Sequence, residues 1–120
     1  MTVKKFNKLV RDKIPKIIEN KGKTCKFRIA SPLEYRQKLK EKLLEESQEF
    51  FENPCVEEFA DIQEVMDALR IEYGLNGIEA YKHYKEIARG SFSKKIILEE
   101  VTEWKQSINL FTKKMMSWRQ

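Results

Sequence analysis

The sequence predicts an all-α fold built on a long antiparallel helical hairpin, and three observations predict it. Apolar residues keep helical spacing from Pro32 to about Glu52 and again from about Cys55 to Tyr73. Asn53-Pro54 interrupts the pattern, and two long helices joined by so short a turn fold back on each other. Ser31-Pro32-Leu33-Glu34 carries a helix-start signature. Ser31 can accept from the Glu34 backbone N–H while Glu34 reaches back, and Pro32 stands where its missing donor costs little.

The remaining elements follow in order. Phe6 to Ile18 reads as a short arm entering a helix, with Asp12 as N-cap, Pro15 in the first turn and Gly22 as the stop. Cys25, Phe27 and Ile29 alternate with polar residues, so a short extended segment is expected near residues 24–30. Gly74 ends the second long helix, and a shorter one runs from Gly77 to about Ala88, capped by Asn76 and stopped by Gly90. A second extended segment is expected near residues 92–101, around Lys94-Lys95-Ile96-Ile97-Leu98. From Glu103 to about Trp118 the spacing of Trp104, Ile108, Phe111 and Met115 is again helical.

A chain of 120 residues and 14.4 kDa suits a single domain, residues 1–120, with 103–120 as an extra carboxy-terminal helix. With 41% hydrophobic and 36% charged residues and only seven Gly plus Pro, it is neither collagen-like, nor of low complexity, nor disordered throughout. No apolar run approaches the ~20 residues of a membrane span, and Met1-Thr-Val-Lys-Lys is no secretory leader, so no membrane partner and a cytoplasmic location are expected. Cys25 and Cys55 form no C-x-x-C pair and are expected to be reduced and inert.

The net charge of +5 and pI near 9.2 would by themselves point to nucleic acid. Their distribution does not. Residues 1–30 carry ten basic and two acidic groups, residues 31–80 five and thirteen, and residues 81–120 nine and four. An acidic middle flanked by basic ends suits carboxylates that hold a cation beside groups that receive an anion.

Within the acidic middle, two pairs have helical spacing, Glu46-x-x-Glu49 and Glu58-x-x-Asp61. Leu39, Leu43 and Phe50 define the apolar stripe of the first long helix; Glu46 lies about 20° from Leu39, inside it, and Glu49 flanks it at about 80°. On the second helix Ile62, Val65, Met66, Leu69 and Tyr73 form the stripe, with Glu58 between Val65 and Leu69 and Asp61 about 40° beyond Val65. The pairs are mirror-placed about Asn53-Pro54. Folding the hairpin therefore brings them to the same levels, with a rise of about 4.5 Å within each pair and ~8–10 Å between axes. Four converging carboxylates repel unless cations or raised pKa values relieve them. All are hard oxygen donors, and His83, the sole histidine, lies on another helix. Mg²⁺ or Mn²⁺ is favoured over Zn²⁺, and Mg²⁺ commonly completes its shell with water and substrate phosphates. Glu41, Glu45, Glu52, Glu57 and Glu64 read as solvated helix faces, and His83 as a surface residue.

Lys42-Leu-Leu-Glu-Glu-x-x-Glu49 followed by Glu57-Glu-Phe-Ala-Asp-Ile-x-Glu-Val65 resembles the E-x-x-E…E-x-x-D signature of the all-α nucleoside triphosphate pyrophosphohydrolases. MazG, dimeric dUTP pyrophosphatases and phosphoribosyl-ATP pyrophosphatase belong to that superfamily. Asn7-Lys-Leu-Val-Arg-Asp-Lys-Ile-Pro15 and Arg89-Gly-Ser-Phe92 are similar to its MazG-like subgroup labelled phosphoribosyl-ATP pyrophosphohydrolase-like, which has Arg-Gly-Gly-Phe at the second motif. The resemblance spans roughly residues 6–100. It implies Mg²⁺-dependent cleavage between the α- and β-phosphates of a nucleotide, giving a monophosphate and pyrophosphate, with Glu46, Glu49, Glu58 and Asp61 as metal ligands.

Glu49, which flanks the stripe, is the candidate to orient the attacking water. Lys42, one turn before Glu46, is placed to contact phosphate or to pair with a neighbouring acid. Lys85, Arg89, Lys94 and Lys95 surround a glycine-containing break suited to a polyphosphate tail. Asn7, Lys8 and Arg11 are substrate-binding candidates on the resemblance alone. Phe50, Phe59, Met66 and Tyr73 are expected in the core. Leu33, Leu44 and Phe51 make a second apolar face that one hairpin cannot bury, so a second subunit is expected to complete a four-helix bundle, as in members of the family, in a homodimer or larger homo-oligomer. Trp104, Phe111, Met115 and Trp118 would extend that interface. The rival readings are a non-catalytic helical module that binds nucleic acid and a nucleotide sensor without turnover.

Overall fold

The helix that starts at Pro32 forms where its capping signal falls. A computed structural model describes residues 2–103 and contains α1 (Ile14–Asn20), α2 (Pro32–Glu52), α3 (Val56–Glu72) and α4 (Ile78–Arg89), with no strand among the described residues. The chain divides into two compact units, Met1–Glu79 and Ala80–Gln120, and each is described by itself. The expected helix from Glu103 to Trp118, with Trp104, Phe111, Met115 and Trp118, lies outside the described residues.

In the first unit α2 begins as expected: the Ser31 Oγ accepts from the Glu34 N–H at 3.3 Å, with Pro32 in the first turn. The reciprocal half of the capping box is replaced. Glu34 turns to Arg28, which donates to both carboxylate oxygens at 2.5 and 2.7 Å, because a bidentate charge-assisted pair outweighs one bond to a backbone amide. Asn53 closes α2 by donating its N–H to the Glu49 carbonyl, and Pro54 prevents continuation. At the end of α3, Gly74 adopts φ +61, the left-handed conformation that a side chain disfavours. The turn lets the Gly74 and Leu75 N–H groups reach the Ile71 and Arg70 carbonyls, satisfying two acceptors the helix leaves open. Gly22 does the same for α1, at φ +79.

Some expectations change. Asp12 does not cap α1; Lys13 holds that position, and no side chain closes the cap. The segments near 24–30 and 92–101 pair with no neighbouring strand, so their alternating pattern has no ladder to satisfy. Helix α4 starts at Ile78, with Gly77 at φ +70 before it. Cys25 and Cys55 are both free thiols.

Helices α2 and α3 pack on each other as the expected hairpin. Its core is small: Leu39 (1% exposed) and Val65 (7%) are the fully buried apolar side chains among the described residues. Phe50 is half-buried, whereas Phe59, Met66 and Tyr73 are about half exposed, contrary to the core role expected for them. Two helices meet along one line only, so residues flanking that line are covered on one side. Leu33, Leu44 and Phe51 are exposed, as expected of a face that one hairpin cannot bury. The described residues contain no helix long and apolar enough to cross a membrane.

Candidate metal centre

The core line of the hairpin also carries its acids. Glu46 stands seven residues after Leu39, and Glu58 seven residues before Val65, so each acid is about 20° around its helix from the buried apolar residue and two turns nearer the hairpin turn. Glu46 is consequently only 6% exposed, and Glu58 and Asp61 are half-buried. One carboxylate oxygen from each of Glu46, Glu58 and Asp61 can be chosen so that all three lie within 4.8 Å of one another.

Their partners leave the group incompletely satisfied. Lys42 Nζ lies 3.2 Å from Glu46 Oε1 and 3.6 Å from Glu45, so the ion-pair role foreseen for it is present. Arg11 Nη2 donates to Asp61 Oδ1 at 2.8 Å. Glu46 Oε2 and Glu58 Oε2 are buried and accept from no group. Buried acceptors without donors each cost on the order of 1–3 kcal/mol, more when charged. A hard divalent cation would relieve that cost, and three carboxylates with room for water fit Mg²⁺ or Mn²⁺.

Glu49 stands apart from this trio. It is exposed, yet its carboxyl is held above the usual carboxylate range, first by hydrogen bonding with the Glu46 carboxyl, then by the Glu46 charge, by desolvation, and by the charges of Glu58 and Glu45. Glu45, read as solvated, is half-buried and held below the usual range, chiefly by its hydrogen bond from Lys8 Nζ at 3.1 Å.

The amino-terminal arm lies against these acids. Lys8 reaches Glu45, Arg11 reaches Asp61, and the Asn7 carbonyl accepts from Lys38 Nζ at 2.8 Å. Asn7 adopts φ +47, a left-handed conformation that asparagine tolerates better than most residues. A cavity of about 230 Å³ opens between arm and hairpin, with Leu9, Val10, Tyr35 and Ala68 among its walls and Lys42, Glu46 and Asp61 at its polar side. Tyr35, Leu9, Val10 and Ala68 were not foreseen. Tyr35 could have been found, because Tyr35, Leu39, Lys42 and Glu46 follow i, i+4, i+7, i+11 along one face. Glu64, read as solvated, is exposed but borders the same cavity.

Lys85, Arg89, Lys94 and Lys95 belong to the second unit. There Lys85 Nζ sits 5.2 Å from the centre of the Tyr81 ring, and Arg89 is engaged within its surroundings. Gly90 turns the chain at φ +85, and Lys95, at φ +59, donates its N–H to the Phe92 carbonyl. Helix α4 buries none of its residues, and His83 is exposed on it as expected.

No protein-family model matches the chain, nor does any curated protein or solved structure.

Proposed function

We propose that this chain is a Mg²⁺-dependent, MazG-like nucleotide pyrophosphohydrolase that cleaves the α–β phosphoanhydride of a nucleoside triphosphate or related nucleotide. The observation that carries this reading is the trio Glu46, Glu58 and Asp61 on the buried seam of the hairpin, two of whose oxygens accept from no group. These three would hold the cation. Bound there, the cation lowers the pKa of a coordinated water and offsets charge on the leaving pyrophosphate. The raised Glu49 carboxyl, beside the trio rather than in it, is suited to take a proton from the attacking water. Lys42, already at the cation side of Glu46, faces the cavity where the phosphates would lie. Lys85, Arg89, Lys94 and Lys95, around the glycine-containing break at Gly90, are proposed for a polyphosphate tail, and Asn7, Lys8 and Arg11 for substrate on the sequence resemblance alone. The exposed face of Leu33, Leu44 and Phe51 supports a homodimer or larger homo-oligomer, in which a second hairpin completes the bundle.

The test is a panel of standard and modified nucleotides with Mg²⁺ or Mn²⁺, reading monophosphate and pyrophosphate, together with Glu46→Gln and Asp61→Asn. Turnover to monophosphate plus pyrophosphate, lost in both variants while helical content survives, is the expected result. Retained turnover in both would sink the site, and orthophosphate as the first product would sink the reaction. Nucleotide binding without turnover would instead identify a sensor. Metal-independent, salt-dependent binding of DNA or RNA would identify the nucleic-acid module.

A further inference from the structure

We propose that Arg11 is an exchangeable internal cation of the acid cluster: it holds the amino-terminal arm over Asp61 until a divalent cation displaces it, and metal loading thereby releases the arm. This inference rests on the metal reading of Glu46, Glu58 and Asp61.

The cluster itself is not the argument; what occupies it is. Asp61 contributes an oxygen to the trio, and one of its oxygens accepts from the Arg11 guanidinium at 2.8 Å. Glu46, nine-tenths buried, keeps Oε2 without a partner, and one oxygen from each acid of the trio lies within 4.8 Å of the others, so a cation still has a place there. Arg11 reaches the cluster from outside the hairpin, on a segment with no regular structure, half exposed and tied down by three polar contacts. Those contacts are Lys38 to the Asn7 carbonyl, Lys8 to Glu45 and Arg11 to Asp61, and only the last involves a cluster acid. A divalent ion drawing on Asp61 removes the charge that Arg11 pairs with and places a like charge beside the guanidinium. Two cations that compete for one carboxylate are linked reciprocally: the arm weakens the metal by the factor by which the metal weakens the arm.

The arm also forms a wall of the 230 Å³ cavity through Leu9, Val10 and Arg11, so its release enlarges the space next to the metal. A guanidinium freed from a carboxylate has the same planar fork to offer phosphate oxygens. Arg11 would therefore change partners, from Asp61 before loading to the phosphates of the incoming ligand afterwards. In this role it is a positioning residue of the arm and no ligand of the metal.

The experiment uses the full chain, stripped of metal, titrated with Mn²⁺ and read by electron paramagnetic resonance of the free ion. Backbone amide exchange over residues 2–13 is followed in parallel with and without saturating Mg²⁺. Arg11→Gln is expected to bind Mn²⁺ about two- to five-fold tighter than the parent, the range set by a partly exposed ion pair. Lys5→Gln removes the same charge from the same arm away from the cluster and is expected to leave affinity unchanged. Arg11→Lys, which keeps the charge and loses the fork, is expected to fall between Arg11→Gln and the parent. Mg²⁺ is expected to speed exchange in the arm of the parent and not in Glu46→Gln. Unchanged or weaker Mn²⁺ binding by Arg11→Gln overturns the exchange, as does an arm whose protection ignores saturating Mg²⁺. If Mn²⁺ binds the parent and is lost in Glu46→Gln while Arg11→Gln matches the parent, the exchange alone falls. If the parent binds no Mn²⁺, the metal reading falls and the exchange with it.

Discussion

The first turn of α2 and its middle each set a glutamate near a leucine, in opposite surroundings. Glu34 lies at the rim, gripped by both arms of Arg28, and this pairing holds its carboxyl below the usual range; Leu33 beside it is exposed. Glu46, twelve residues on, is buried with one oxygen bonded to Lys42 and the other to nothing, two turns from the fully buried Leu39. The difference separates two uses of an acid. A carboxylate whose acceptors are filled at the surface fastens local structure, and can be replaced at small cost. One that is buried and half-filled costs stability, a cost that a bound cation would offset on the proposed reading.

The largest contrast expected is in activity. Glu46→Gln should abolish metal-dependent turnover, exceeding the ~10–100-fold loss that removing a mere outer partner of a metal causes. Glu34→Gln should leave turnover at the parent level in the same pyrophosphate-release assay. Equal losses would erase the distinction between the two acids. Next is Leu39→Ala, expected to lower unfolding free energy by about 2–5 kcal/mol, against less than about 0.5 kcal/mol for Leu33→Ala in dilute protein. Urea titrations at two protein concentrations would sharpen this, because a penalty at Leu33 that appears only at high concentration marks a second copy covering it.

Mg²⁺ at about one hundred times its dissociation constant should add ~2.7 kcal/mol of stability, seen as a rise in Tm. The rise should vanish in Glu46→Gln and remain in Glu34→Gln. Ser31→Ala, which strips the cap from α2, should cost about 1 kcal/mol without altering turnover.

The smallest effect is that of pH in the presence of chelator. Between the ordinary carboxylate value, about 4.3, and the raised value of Glu49, the folded chain holds a proton that the unfolded chain has released. Stability therefore falls as pH rises through that window and recovers as pH falls. Glu34 and Glu45 act oppositely: their lowered values add stability above the ordinary value, lost as pH falls through the folded-state values. Urea midpoints should first rise on mild acidification and then drop, and Glu49→Gln should flatten the first limb.

Much of the hairpin was legible because its signals are local. Ser31, Pro32, Asn53, Pro54 and Gly74 act within a turn of themselves, and the bounds of α2 and α3 fall within a residue of expectation. Glu46 and Glu58 were legible because a seven-residue offset from Leu39 and Val65 fixes which way an acid faces, and Asp61 because it stands one turn, four residues, before Val65. Glu49, ten residues after Leu39, sits about 80° off that line, so it is exposed and meets the Glu46 carboxyl from beside the trio. The arm was opaque. Lys8 and Arg11 find Glu45 and Asp61 across 37 and 50 residues, and no periodicity encodes contacts of that kind. Asp12 illustrates the converse error: a good capping residue stood in the right place, but the backbone turned one residue later.

Lys42 and Arg11 set two basic side chains against the clustered acids, one from within α2 and one from the arm. The cluster therefore draws its internal counter-charge from two places far apart in the chain. On the proposed reading the hairpin would close before any cation arrives, and loading would be a later, separable step.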